Sequence, residues 1–343
     1  MDFMSKKYTI NFAKYGDITD IMSFIKENWS STHILANCRE FFEYQHCHNS
    51  QVTFLLARDG EHIKAALGFI PYDRNNDNIM LAIWKSIDKE NPFLGVELLK
   101  YIIDYNKNGK VASVGINKKT IGIYNYLGYC TGELNHYYRI ADQAEYKIAD
   151  IKNKNIMEVN YKREYRLKVL DSFTQLCSVF KWEQYKELNC FPYKEPWYIE
   201  KRYYNHPVYH YCVYGIENKS GTVNSILIGR EQQIEDAIIL RLVDFLGDIN
   251  DLAYISYDLQ ALIDDNGYEY IDFYQHGIPK EIMQNAGLVL KDSENIIPNY
   301  FEPFLKEDVP IYYFSMTNEH VLFFKGDCDQ DRPNFFQRKN SNE

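Results

Sequence analysis

The run YEYIDFYQH, Tyr268–His276, places Tyr270, Asp272, Tyr274 and His276 at every second position. On a strand these four side chains share one face, and Ile271, Phe273 and Gln275 share the other. A carboxylate and an imidazole on a common face can do general acid–base work near neutral pH. A central strand of a buried sheet is normally apolar on both faces. The polar face therefore predicts a solvent-filled cleft, against the alternative of core tyrosines with Asp272 and His276 as capped strand-end groups. The preceding run AIILRLVDF adds Arg241 and Asp244. Three residues apart, they face opposite sides and cannot pair on one face without a bulge. Asp244 falls in an apolar layer, where it serves either a substrate or backbone amides.

The second charged constellation is FKGDCDQDRPN, Phe324–Asn334. Asp327, Asp329 and Asp331 repeat the opening of an EF-hand loop, which requires Gly at position six and Glu at position twelve. Arg332 and Arg338 stand there instead, so calcium is excluded. Two readings remain. Lys325 and Arg332 either neutralise the three aspartates in a self-paired clamp, or meet a diphosphate, Arg332 in bidentate fashion. Other constellations give less. His206 and His210 sit in strand-like sequence, where they stand about 13 Å apart. His46-Cys47-His48 lacks a third metal ligand at a sensible spacing, and Cys328 has no neighbouring histidine to activate it. No metal site is expected.

These residues sit in a chain of 343, enough for two domains. An apolar content of 45% and a charged content of 25% are those of a globular protein. A net charge of −10 argues against nucleic acid as a partner. No apolar run approaches the roughly 20 residues of a membrane span. The N-terminal MDFMSKKYTINF has no signal-peptide core. Seven cysteines without CxxC spacing suit free thiols in a reducing cytoplasm.

The elements that must position the candidate groups alternate between strand and helix. Tyr8–Phe12 reads as a strand, and Asp17 as the cap of a helix with Ile18, Ile21, Met22 and Ile25 on one face. A second helix covers Arg39–Tyr44. A hairpin in VTFLLARDGEHIKAALGFI turns at Asp59-Gly60. Strand IMLAIWK, a helix over Gly95–Tyr105, strand KVASVGI and a short helix ended by Gly128 follow. Periodicity fades between Ala141 and Tyr165, which predicts domains at 1–150 and 151–343. The second half then repeats the order of elements: strands VYHYCVYG, SILIGRE and AIILRLVDF, helix ISYDLQALIDDNG, strand YEYIDFYQ and helix PKEIMQNAG.

This order, with IYNYLGY after a buried strand, resembles the GNAT acyltransferases: two GNAT-like α/β domains in tandem, each with a mixed sheet. The resemblance implies acyl-CoA as co-substrate, with no tightly bound cofactor and with the pyrophosphate held on N–H groups at a helix N-terminus. In the first domain the family's Gly-rich turn aligns with Glu90 at its basic position, Phe93 at its middle glycine and Gly95 at its last. The titratable face Tyr270–His276, which has no equivalent in KVASVGI, places the active cleft in the second domain. That domain has no Gly-rich turn either, and the resemblance puts Phe245, Leu246, Gly247, Asp248 and Asn250 at the equivalent point for coenzyme A. The segments RLVDF, IDFYQHG, NYFEPF and FKGDCDQDRPN resemble tandem GNAT proteins thought to acylate nucleotide-linked amino sugars for surface polysaccharides. Acyl transfer to an amine needs a base near neutral pKa, hence His276, with Asp272 or Asp244 either orienting it or binding the sugar. By that likeness Arg241, Tyr270, Tyr274, Tyr300, Lys325 and Arg332 contact a dTDP- or UDP-linked sugar. A cytoplasmic setting and a homodimer complete the expectation. An aminoacyl or carrier-bound donor, or a non-catalytic binding protein, is the alternative.

Overall fold

The computed structural model describes residues 7–48, 51–158, 163 and 165–334. In the first unit, strand β1 (Thr9–Phe12) precedes helix α1 (Ile18–Asn28), whose Ile18, Ile21, Phe24 and Ile25 form one buried stripe. Asp17 does not cap α1. Its carboxylate instead accepts the Lys14 amide and pairs with Arg58 at 2.8 Å. Helix α2 (Arg39–His46) adds Phe41 and Phe42 to the same core. The hairpin β2 (Phe54–Asp59) and β3 (His62–Pro71) continues antiparallel into β4 (Asn78–Ser86). Helix α3 (Leu94–Tyr105) then crosses to β5 (Lys110–Ile116), which lies parallel to β4 from Asn78↔Lys110 to Met80↔Ala112.

Compact packing groups Met1–Ser113 with Arg332–Glu343, and Val114–Asp331 separately. The division therefore falls within β5 rather than near residue 150. The physical reason lies in the stretch that follows. After helix α4 (Ile121–Tyr126) and strand β6 (Cys130–Glu133), strand β7 (Asn135–Ile140) enters the sheet of the second unit. Beyond it, the carboxylate of Glu269 accepts the amides of Lys147, Ile148 and Ala149. A buried carboxylate bound by three amides ties this stretch to the second unit's core.

The second unit repeats the arrangement. Strands β8 (Arg166–Val169), β9 (Cys212–Glu217), β10 (Val223–Ile234) and β11 (Ala237–Leu246) pair antiparallel in sequence order. Helix α5 (Ser256–Asn266) ends on Gly267, whose φ of 67° is the left-handed conformation a non-glycine side chain resists. Strand β12 (Tyr268–His276) returns parallel to β11, and its other edge pairs antiparallel with β7. Helix α6 (Lys280–Asn285) and short strand β13 (Val289–Leu290) follow, β13 on the far side of β7. Strand β14 (Tyr312–Ser315) pairs with β6, and β15 (Phe323–Phe324) pairs with the end of β12. In each unit the strand before the crossover helix slips register against its hairpin partner, at Val243 in β11 and near Ala82–Ile83 in β4. Such a bulge re-aims the strand's end, which is where the parallel neighbours separate. Among the described residues no helix is long and apolar enough to cross a membrane.

Candidate active site

The parallel register sets Arg241 of β11 beside Asp272 of β12. Their side chains are wholly buried and joined by three contacts, Nη2–Oδ2 at 2.7 Å and Nε to both oxygens at 3.0 and 3.1 Å. The remaining guanidinium hydrogens go to Gln232 and to the carbonyls of Pro298 and Asn299. Asp272 also meets His136 Nε2 at 3.0 Å. Burial by itself pushes the Asp272 carboxyl up, but Arg241 and then His136 hold it below the usual carboxylate range. The polar face of β12 is thus a closed ion-pair network and not a solvent-filled cleft. Tyr270 is buried with its hydroxyl on the Pro298 carbonyl, and Asp272 orients His136 rather than His276.

Asp244 belongs to a second closed network. It accepts from Lys194 Nζ and the Tyr203 hydroxyl, each at 2.5 Å, and from the Phe245 amide. Lys194 also pairs with Asp327 at 2.9 Å. At its other end the same tail presents Asp331 to Arg230, bidentately, and to the Tyr211 hydroxyl. Asp327 and Asp331 therefore act as a clamp, with Lys194 and Arg230 as their cations and not Lys325. Lys325 is buried with its ammonium over the rings of Tyr274 and Tyr300, at 5.6 and 5.2 Å. Burial, reinforced by Arg241, pushes its pKa down to about 7. Arg332 lies in the first unit, where burial and this arginine's charge depress the pKa of His33 to about 3.

The strands β11 and β12 stay paired only as far as Leu242 and Phe273. Beyond that point the chain's own segment Phe323–Gly326 lies between them. Phe323 and Phe324 pair with His276 and Gln275, and the Gly326 amide donates to the Val243 carbonyl at 2.7 Å. At the mouth of this separation a cavity of about 490 Å³ is lined by His276, Gly247, Asp248, Ile249, Cys190 and His320, with neighbouring loop residues. His276 is half-buried, its ring nitrogens 3.0 and 3.3 Å from the Tyr313 hydroxyl, and burial pushes its pKa down. The imidazole is thus held neutral and able to accept a proton. Gly247 has φ of 116°, and a Cβ there would come within 2.4 Å of the Asn224 carbonyl oxygen, so only glycine fits. Phe245 and Leu246 are core residues and do not reach this cavity.

At the two turns expected from the sequence to meet a pyrophosphate, backbone amides are partly taken by side chains. Asp248 Oδ1 accepts the Asn250 amide at 2.9 Å and its side-chain amide at 2.8 Å. In the first unit Asp88 Oδ1 accepts the amides of Glu90 and Asn91 at 2.8 and 2.9 Å. Each turn carries its own carboxylate on its amides.

On the β7 side of β12 a second cavity, of about 480 Å³, is lined by His136, Tyr274, Lys291 and Asp308 among others. Sequence reasoning does not single out His136, whose one signal is a histidine opening the aromatic strand NHYYRI. Lys194, Arg230 and Asp308 also escape it. Among the described residues no group of three or more His, Cys, Asp or Glu is placed to hold a metal ion.

No family model matches the chain, and no curated protein matches it. Solved structures do. A GCN5-related N-acetyltransferase from Anabaena variabilis superposes with a TM-score of 0.57 at 11% identity, over 90% of this chain and 72% of that one. A conserved protein from Enterococcus faecalis, described as a probable N-acyltransferase, gives 0.52 at 11% identity over the same shares. The fold is that of the GCN5-related, or GNAT, acyltransferases.

Proposed function

We propose that the second unit is an N-acyltransferase, with the acyl group of an acyl-CoA transferred to a primary amine at the His276 cavity. The observation that carries this reading is the cavity where β11 and β12 part, which brings His276 together with Gly247 and Asp248. The acceptor arrives as an ammonium and must lose a proton before it can attack. A half-buried neutral imidazole held by Tyr313 is suited to take that proton. The amine nitrogen then bonds to the acyl carbon, the C–S bond breaks, and the departing thiol carries a proton away. No covalent acyl-enzyme is required.

The finer reading is that the acceptor is a nucleotide-linked amino sugar, in a cytoplasmic setting. It is supported by the sequence likeness of RLVDF, IDFYQHG, NYFEPF and FKGDCDQDRPN. Lys325, being buried, is not available as a diphosphate contact. A second reading is favoured by one observation. Because Asp248 and Asp88 occupy turn amides, a carrier-bound acyl thioester, which presents no nucleotide pyrophosphate, suits the turns better than free acyl-CoA. Thiol release should be followed with acetyl-CoA and with an acylated carrier protein, each against a panel of dTDP- and UDP-linked amino sugars. His276→Asn is expected to lower turnover about a hundredfold with the melting temperature unchanged. An undiminished rate in a folded variant removes His276 from the mechanism.

A further inference from the structure

One wall of the His276 cavity is a strap, Val321–Asp327, whose Val321 and Leu322 line the space directly. Its backbone is held on both sides. The Leu322 amide donates to the Phe191 carbonyl at 2.8 Å, Phe323 and Phe324 pair with His276 and Gln275, and the Gly326 amide donates to the Val243 carbonyl. Beyond its two ends, His320 with φ of 50° and Cys328 with φ of 57° stand in the left-handed region. Non-glycine residues adopt that conformation at a cost, so the seated strap carries backbone strain at each end.

Within the strap, Lys325 is 3% exposed, and among the described residues its Nζ makes no hydrogen bond or ion pair. Its contacts are the ring faces of Tyr274 and Tyr300. The charged groups around it are already matched to one another, Arg241 of β11 to Asp272 of β12 and Arg230 of β10 to Asp331. Asp327, the strap's own carboxylate, is turned to Lys194. An ammonium here is therefore buried without a counter-ion, beside two guanidinium groups that repel it. The neutral amine escapes that conflict, which agrees with a pKa pushed down to about 7.

We propose that the strap is a movable wall of the His276 cavity, seated while the Lys325 amine is neutral and released as that amine takes up a proton. Release puts the ammonium in water and widens the cavity, so falling pH opens it. The inference concerns the motion of the wall and stands or falls apart from the acyl-transfer reading.

The test is amide hydrogen exchange on the whole protein, read by NMR at pH 6 and pH 8 and corrected for the intrinsic rate at each. The Gly326 amide reports release, and the amides of the β9–β10 ladder report unfolding of the unit. Gly326 is expected to open more often than that ladder at both pH values. With a seated value of about 7 and an ordinary value of 10.5, its opening constant should rise at least tenfold from pH 8 to pH 6. Protonation of His276, which pairs with Phe323, acts in the same direction, so two variants separate the groups. The tenfold rise should persist in His276→Asn. In Lys325→Met it should shrink to about fourfold or less, the share His276 alone supplies. The proposal is overturned if Gly326 is as protected as the ladder, if its opening is flat or falls as pH falls, or if Lys325→Met keeps the full rise. Should that variant not fold, loss of the rise in His276→Asn overturns it equally.

Discussion

Asp244 and Asp272 are both fully buried on neighbouring strands, and each is matched to a cation. Breaking such a pair leaves an uncompensated charge, at a cost of about 3 kcal/mol or more. Asp244→Asn is therefore expected to destabilise the protein by about 3 kcal/mol in chemical denaturation, while the folded fraction keeps its turnover. Full stability with turnover reduced a hundredfold would make Asp244 catalytic instead. Lys325 gives a pH signature. Its folded pKa is about 7 against an ordinary value of 10.5, so between those limits the unfolded chain binds a proton that the fold does not. Stability therefore rises with pH across this window and loses the contribution as pH falls through it. Relative to Lys325→Met, the wild type should gain about 2 kcal/mol between pH 7 and pH 9 in urea denaturation. A flat difference would mean that the ammonium is solvated.

At the scale of elements, most strands and helices were legible because each carries its own period and its own stop. Gly267 ends α5 and Gly287 follows α6, as their positions in the sequence suggest. The partners of the charged groups were not legible. Asp272 meets Arg241 only through parallel register, and its second partner, His136, lies 136 residues upstream. Asp244 finds Lys194 across 50 residues. No local pattern encodes such contacts. The same holds for Phe323–Gly326, whose four residues read as a strand and a turn but whose place between β11 and β12 is set by the rest of the unit. Gly326 is the tightest point there, because an added Cβ would lie 2.6 Å from the Val243 carbonyl oxygen and 2.9 Å from the Tyr203 hydroxyl. Gly326→Ala is expected to cost about 2 kcal/mol through overpacking, measured by guanidinium unfolding. Unchanged stability would show that the segment moves aside freely.

For the whole molecule, the two units share the order of hairpin, bulged strand, crossover helix and parallel strand, yet they differ where chemistry would occur. The first places KENPF at its turn, with Phe93 71% exposed at the tip and no glycine before Gly95. The second supplies Gly247 and opens a cavity on His276. The assignment of the reaction to the second unit is tested most directly by a crystal structure of the protein soaked with coenzyme A. The expected density places the thiol end in the cavity lined by His276, Gly247 and Asp248. Density at Phe93–Val96 of the first unit, or none in either, would contradict it.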